Sequence, residues 1–420
     1  MEPRGVLRLY PRHRLDVSVR DLIFGLSACL WAFRRRRLAA RVVCACPPGD
    51  DALVCFSVRS GFDLLLGVLA ETPGSEVLVS SVTHPDMVRI IEGHGLRAVP
   101  VDLAPDTLEP RVELLEEALS PRTCAVMVAH LFGGRFDLGP VTAFARKHGL
   151  LLVEDCAQAF RGPRDHGDPS ADVSMFSFGS IKTASAVGGA ILRVRDPGLL
   201  AKMRRVQERW PVQGRRHYAG RLGKALCLVV LGRPLPYGIL ARICELTGRN
   251  LDDLVNGTVR AFPESAEANG ALLGRIRHQP SAPLLALLAR RLRTFDAARL
   301  ARRAQSGERV ARLLPASVHH PGGFATTRTH WLFPVVGSDP EKLVFALWRR
   351  GFDASRVTSS IAPVPAPPDL PRLVPEDANR MMSHLVFLPV YPELPEEALD
   401  RLAGAVEEVA GIGPEPEDHA

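Results

Sequence analysis

The strongest constraint on the fold is a rhythm that begins near Asp51 and lasts to about Arg195. Ala52–Val58, Glu76–Ser80, Arg97–Leu103, Ala125–Phe132, Leu150–Asp155, Val173–Phe178 and Ala190–Arg195 read as β-rich runs. Phe62–Ala70, Met87–Gly95, Val112–Leu119 and Val141–Gly149 lie between them with helical patterning. Strands that alternate with helices predict βαβ units and an α/β fold with a mainly parallel sheet. The strands are nearly continuous apolar runs, as expected where helices cover both faces of the sheet.

After Pro197 the strand rhythm stops. Residues 198–310 read mostly as helices, with a Pro-rich break at Gly232–Pro236. The stretch 326–412 mixes strands with helices and predicts a smaller α+β domain. The expected division is an N-terminal helical and basic extension (1–50), a large domain (51–310) with a helical insertion at 203–270, a small domain (311–412) and a polar tail (413–420). A chain of 420 residues with 46% hydrophobic and 24% charged residues supports a sizeable core. It excludes a disordered chain, a collagen-like fibre and a disulfide-stapled miniature.

Lys+Arg 53 against Asp+Glu 46 gives a net charge of +7. That excess favours anionic partners and is too small to argue for nucleic acid. The eight cysteines include no CxxC pair, and several sit in apolar runs. They predict a reducing, cytoplasmic setting and no metal site. The first twenty residues carry charges where an export signal has its apolar core, so no such signal is expected. An apolar stretch at 22–33 is too short to span a bilayer, which takes about 20 residues. It runs into Arg34, Arg35, Arg36 and Arg37. A second apolar stretch, 225–246, is interrupted by Arg233 and Pro234. Either stretch packs on the protein body, or it meets lipid or an amphiphilic substrate at the membrane surface.

Four local features fall in order along the predicted sheet. Ser60-Gly61-Phe62-Asp63 lies between a strand and a helix, where backbone N–H groups of a helix start can face a phosphate. Glu154 and Asp155 end an apolar strand, and a carboxylate there faces the crevice at the carboxyl edge of a parallel sheet. Lys182 follows the strand ending in Ser177-Phe178; partial burial lowers a lysine pKa and supplies a neutral amine for Schiff-base chemistry. Gly188-Gly189 precedes the next strand and allows close backbone approach. Each alone has a plainer reading as an ordinary turn, a capping carboxylate, a surface lysine or a packing glycine.

Taken together, Glu154-Asp155-Cys156-Ala157-Gln158-Ala159, Phe176-Ser177-Phe178-Gly179-Ser180-Ile181-Lys182 and Gly188-Gly189-Ala190 resemble the DegT/DnrJ/StrS-type sugar aminotransferases. Those are fold-type I enzymes dependent on pyridoxal 5'-phosphate, and the likeness spans roughly residues 50–412. The resemblance implies that Lys182 carries the cofactor and shuttles the proton. It implies that Asp155 keeps the pyridine nitrogen protonated and that Gln158 bonds near the phenolic oxygen. It gives Ser177 and the N–H groups at Gly61, Phe62 and Asp63 the phosphate, and sets His84 against the ring. Arg277 matches an arginine that the family sends into the partner subunit's site.

The implied activity moves an amino group, from glutamate, to a keto sugar or sugar-like substrate on a nucleotide or lipid carrier. It proceeds in two half-reactions within a homodimer. Three departures stand out: Phe62 replaces a threonine, the segment after Lys182 lacks an acidic residue, and Arg275 replaces an asparagine. Another fold-type I reaction, or a non-enzymatic relative that binds the cofactor or a ligand, is the alternative.

Overall fold

A computed structural model of the chain describes residues 8–47, 50–69, 72–249, 251, 269–356 and 360–410. It opens with helices α1 (Val19–Trp31) and α2 (Arg35–Cys44). Ser18 accepts a bond from the Asp21 N–H while the Asp21 side chain bonds back to Ser18, a reciprocal cap that satisfies donors at the helix start. The alternating region follows as β1 (Ala52–Cys55), α3 (Val58–Leu69), β2 (Glu76–Ser80), β3 (Val82–Thr83), α4 (Pro85–Gly93), β4 (Arg97–Val101) and α5 (Val112–Ala118). It continues with β5 (Thr123–Ala129), β6 (Gly134–Arg135), α6 (Gly139–Lys147), β7 (Leu151–Asp155), β8 (Val173–Ser177) and β9 (Ala190–Val194).

Seven of these strands form one sheet in the order β1-β9-β8-β7-β5-β2-β4. β4, β2, β5, β7 and β8 are parallel, and β9 runs against both β8 and β1. Side chains alternate between the two faces. Val77, Val79, Met127 and Val153 pack with α3 and α4, whereas Leu78, Val126, Val128 and Leu152 pack with α5 and α6. The expected large sheet, mostly parallel and covered on both sides, is borne out. The first strand is shorter than read from sequence: it stops at Cys55, and Val58 already opens α3.

Beyond β9 come α7 (Pro197–Gln207), α8 (Arg215–Leu231), α9 (Pro234–Leu246), α10 (Asn269–Ile276), α11 (Ala282–Arg293) and α12 (Ala297–Leu313). The axes of α8 and α9 differ by 102° across the predicted break. Pro234 begins α9, where its missing N–H costs nothing. Part of the expected insertion, 252–268, and the expected tail, 413–420, lie outside the described residues. Helix α11 is buried along most of its length, and α1, α2 and α8 pack on it. Leu22, Ala28, Leu38 and Val42 join Leu284, Leu287 and Leu288 in one core cluster. The N-terminal segment is thus built into the large-domain core.

The remaining chain forms β10 (Thr327–Arg328), β11 (Phe333–Val336), α13 (Pro340–Arg349), β12 (Ala362–Pro363), α14 (Glu376–Ser383), β13 (Leu385–Leu388) and α15 (Glu396–Ala410). β11 and β13 pair antiparallel, and their core is shared with α12, α13 and α15 through Val310, Leu347 and Leu402. Helix α12 therefore runs across the boundary expected near residue 310.

Candidate active site

Two adjacent residues at the end of β7 part company because successive strand side chains point to opposite faces. Glu154 is enclosed. His130 Nε2 lies 3.0 Å from its Oε1, the Asp168 N–H donates to Oε2 at 2.8 Å, and Arg135 is 3.8 Å away. Burial works to raise its pKa, but His130, Arg135 and the Asp168 N–H outweigh that and hold the carboxyl well below its ordinary value. Asp155 takes the other side, with one oxygen accepting from the Ala157 N–H at 2.9 Å. Burial pushes the Asp155 carboxyl up, against the pull of that N–H and of Lys182.

Lys182 sits on the loop after β8, and its Nζ lies 3.9 Å from the centre of the Trp331 ring. Burial lowers its pKa to about 8; Asp155 opposes the shift and Arg59 adds to it. Lysine and aspartate thus sense each other's charge from neighbouring strand ends. Gln158, on the same edge, has its carbonyl oxygen fixed by the Phe132 N–H at 2.9 Å, which leaves the amide NH₂ as donor. Ser177 closes β8, with its hydroxyl 3.5 Å from the Gly179 nitrogen. His84 caps α4 by accepting the Asp86 N–H at its Nδ1, 3.1 Å away, and its ring is partly exposed.

The lysine loop is over-determined. The Ile181 carbonyl accepts from Trp331 Nε1 at 2.8 Å, and His13 lies within 3.2 Å of it. Asp16 accepts the Ala184 N–H at 2.9 Å, so a carboxylate from the N-terminal segment serves the loop that lacks its own. Tyr218 on α8 donates to the Ala186 carbonyl at 2.7 Å. Arg291 and Arg303 hold Ser185 and Thr183. These contacts support a strained backbone: Ala184 and Val187 have φ of 54° and 57°, unusual for a residue with a side chain. Sequence reasoning missed all of these partners. Asp16, Tyr218 and Trp331 lie far from Lys182 along the chain, and nothing local marks them.

The phosphate side needs correction. Helix α3 begins at Val58, so Phe62 and Asp63 lie in its second turn, where backbone N–H groups serve the helix itself. The helix start belongs to Ser57, Val58 and Arg59. The Ser57 hydroxyl accepts the Ser60 N–H at 3.1 Å, and the Ser57 carbonyl accepts the Gly61 N–H. Gly61 faces β9, and a Cβ there would lie 2.4 Å from Leu192 Cδ1. Phe62 is a core residue. Asp63 is buried against Arg277, at 2.9 and 3.0 Å, and His94, at 2.8 Å. Burial tends to raise the Asp63 pKa, but these partners lower it on balance. Arg277 is thus forked onto Asp63 of its own chain. Arg59, at the true helix start, pairs with Asp86 at 2.5 Å and is the cation that Lys182 senses.

An amine, a neighbouring buried carboxylate and a helix start match what pyridoxal phosphate requires at its aldehyde, ring nitrogen and phosphate. With the sheet order, they define the class: a fold-type I pyridoxal-phosphate transferase fold. Residues 42–225 match the model of the DegT/DnrJ/EryC1/StrS aminotransferase family. The chain is 32% identical over 212 residues to GDP-perosamine synthase of Caulobacter vibrioides, a match spanning 49% of this chain and 57% of that protein. It is 37% identical over 161 residues to the erythromycin biosynthesis sensory transduction protein EryC1 of Saccharopolyspora erythraea, 36% of this chain and 43% of that one. The chain thus spans about half the length of the curated relatives it matches. The crystal structure of the aminotransferase TlmJ from Streptoalloteichus hindustanus superposes with a TM-score of 0.67 at 19% identity, covering 96% of this chain and 99% of that one. At that identity the likeness speaks for the fold.

Proposed function

We propose that the protein is a pyridoxal-phosphate-dependent aminotransferase that moves an amino group, taken from glutamate, to the keto carbon of a nucleotide- or lipid-linked sugar. One observation carries the reading: Lys182, packed on the Trp331 ring in the loop after β8, and Asp155, buried at the end of β7, lie close enough for each charge to shift the other's pKa, with that of Lys182 lowered to about 8 by burial. The family match over 42–225 supports the same chemistry.

When bound, the cofactor supplies a ring that takes up the electrons left by breaking a C–H bond. The protein's residues do the rest. Asp155 holds a proton at the ring nitrogen. Lys182 Nζ, neutral in a good fraction near pH 8, would take the proton from the amino-donor carbon and deliver it to the cofactor carbon that carried the aldehyde. The N–H groups at the start of α3, with Ser177, bind the phosphate. Gln158 donates its NH₂ to the phenolic oxygen, and His84 lies against the ring. Trp331 packs on the Lys182 amine and keeps water from it. The reading places the enzyme in the cytoplasm as a homodimer, with a peripheral contact at the membrane.

The test is the first half-reaction. Cofactor-loaded protein is mixed with glutamate and no acceptor, and the absorbance change and 2-oxoglutarate are followed. About one 2-oxoglutarate per site supports the reading. A protein that binds cofactor but leaves glutamate and a panel of other amino donors untouched is a binding protein, and the reading fails.

A further inference from the structure

We infer that α1 and the α8–α9 elbow form a docking face for an anionic lipid bilayer. Helices α1 and α8 lie side by side on α11: a Cβ at Gly25 would touch both Leu222 and Leu287 at 3.1 Å. Their inner sides are buried, and their outer sides form part of the molecular surface. On α1 that outer side is apolar. Ile23, Leu30 and Trp31 are exposed, Leu30 at 78%, and Phe33 beyond the helix is exposed at 70%. Helix α9 repeats the pattern. Leu235, Ile239, Ile243 and Leu246 are exposed at helical spacing, Leu246 at 73%, while Tyr237, Ala241 and Cys244 are buried. Between them, Val19 of α1 and Leu231 of α8 line one cavity of about 520 Å³, whose acidic residues Asp16, Glu393 and Asp296 are paired with Arg291, Arg299 and Arg302. A helix whose solvent side is the apolar one is built to be covered.

Charge selects what covers it. Exposed Arg20, Arg34, Arg36, Arg37 and Arg41 flank the α1 face. Arg216, Lys224, Arg233 and Arg242 are exposed along α8 and α9. In 18–46 and 215–249 the acidic residues are Asp21, which is buried with Arg290 and Arg291, and Glu245, which pairs with Arg242 at 2.9 Å. A second copy of this face would bring arginines against arginines. An anionic bilayer supplies both the negative charge and the apolar layer. Among the described residues no single helix is long and apolar enough to cross a membrane. Together α8 and α9 have the length and apolar composition of a broken span, but the 102° bend between them keeps them from crossing as one straight helix, and the pair suits lying in the interface. The face stands independently of the catalytic reading.

The test is co-sedimentation of the full chain with vesicles of phosphatidylcholine alone or with phosphatidylglycerol added, at low and high salt, alongside sedimentation velocity without lipid. We expect binding to rise several-fold with the anionic lipid and to fall with salt, because the arginine attraction is screened. Ile239→Ser with Leu246→Ser, and separately Arg36→Ser with Arg37→Ser, should each lower the bound fraction several-fold. Both pairs are exposed, and an unchanged unfolding transition confirms intact folding. Two results overturn the proposal. One is wild-type protein left in the supernatant with both vesicle types. The other is the Ile239/Leu246 variant dissociating an oligomer while vesicle binding stays unchanged, which would assign the face to a second copy.

Discussion

At the scale of single residues, Lys182 and Asp155 carry opposite tasks set by their surroundings. Burial strips the lysine of much of its preference for the charged form, so an amine ordinarily protonated below 10.5 loses its proton near 8. In cofactor-free protein, capture of pyridoxal phosphate by Lys182 needs the neutral amine. Its rate should fall about tenfold for each pH unit below 8 and level off above it. A midpoint near 10.5 would mean an ordinary solvated lysine. Asp155 opposes this shift, so Asp155→Asn should move the midpoint below 8. The same variant should lose about 10²-fold or more in transamination rate, because an amide does not hold the ring-nitrogen proton. A near-normal rate in Asp155→Asn would remove Asp155 from that role. Glu154, turned inward onto His130 and Arg135, is not a replacement.

At the scale of elements, the sequence shows the strands and helices of the sheet clearly, because the strands are continuous apolar runs bounded by turns and the segments between them have the 3.6-residue period of helices. It shows Asp155, Gln158, Ser177 and Lys182 on the sheet edge for the same reason: Asp155 and Ser177 end strands whose limits are marked, and Gln158 and Lys182 follow them. It misplaces the helix start. Ser60-Gly61 has the composition of a phosphate turn, but the glycine is there because α3 presses on Leu192. Gly61→Ala should therefore cost about 1–3 kcal/mol of stability through overpacking, measured by urea unfolding, with little direct effect on cofactor affinity. A normal stability with lost cofactor affinity would return Gly61 to the phosphate. The supports of the lysine loop were not legible, since Asp16, Tyr218 and Trp331 reach it only through the folded chain. Tyr218→Phe strands the Ala186 carbonyl and should cost about 1–3 kcal/mol, with weaker cofactor retention. An unchanged transition would show that the loop does not depend on that bond.

At the scale of the whole molecule, the lysine loop is the meeting point of parts distant in sequence. The N-terminal segment reaches it through His13 and Asp16, α8 through Tyr218, α11 and α12 through Arg291 and Arg303, and the small domain through Trp331. Cofactor binding should accordingly stabilise the whole chain. The homodimer of the proposed function predicts a species of twice the 45.8 kDa chain mass in sedimentation velocity. A monomer at micromolar concentration would contradict that part of the reading. The central claim is that Lys182 carries the cofactor, and borohydride reduction of the loaded protein followed by peptide mapping tests it most directly. The account predicts one pyridoxyl label per chain, on Lys182, and none in Lys182→Ala; a label on another lysine, or an equal label in the variant, would contradict it.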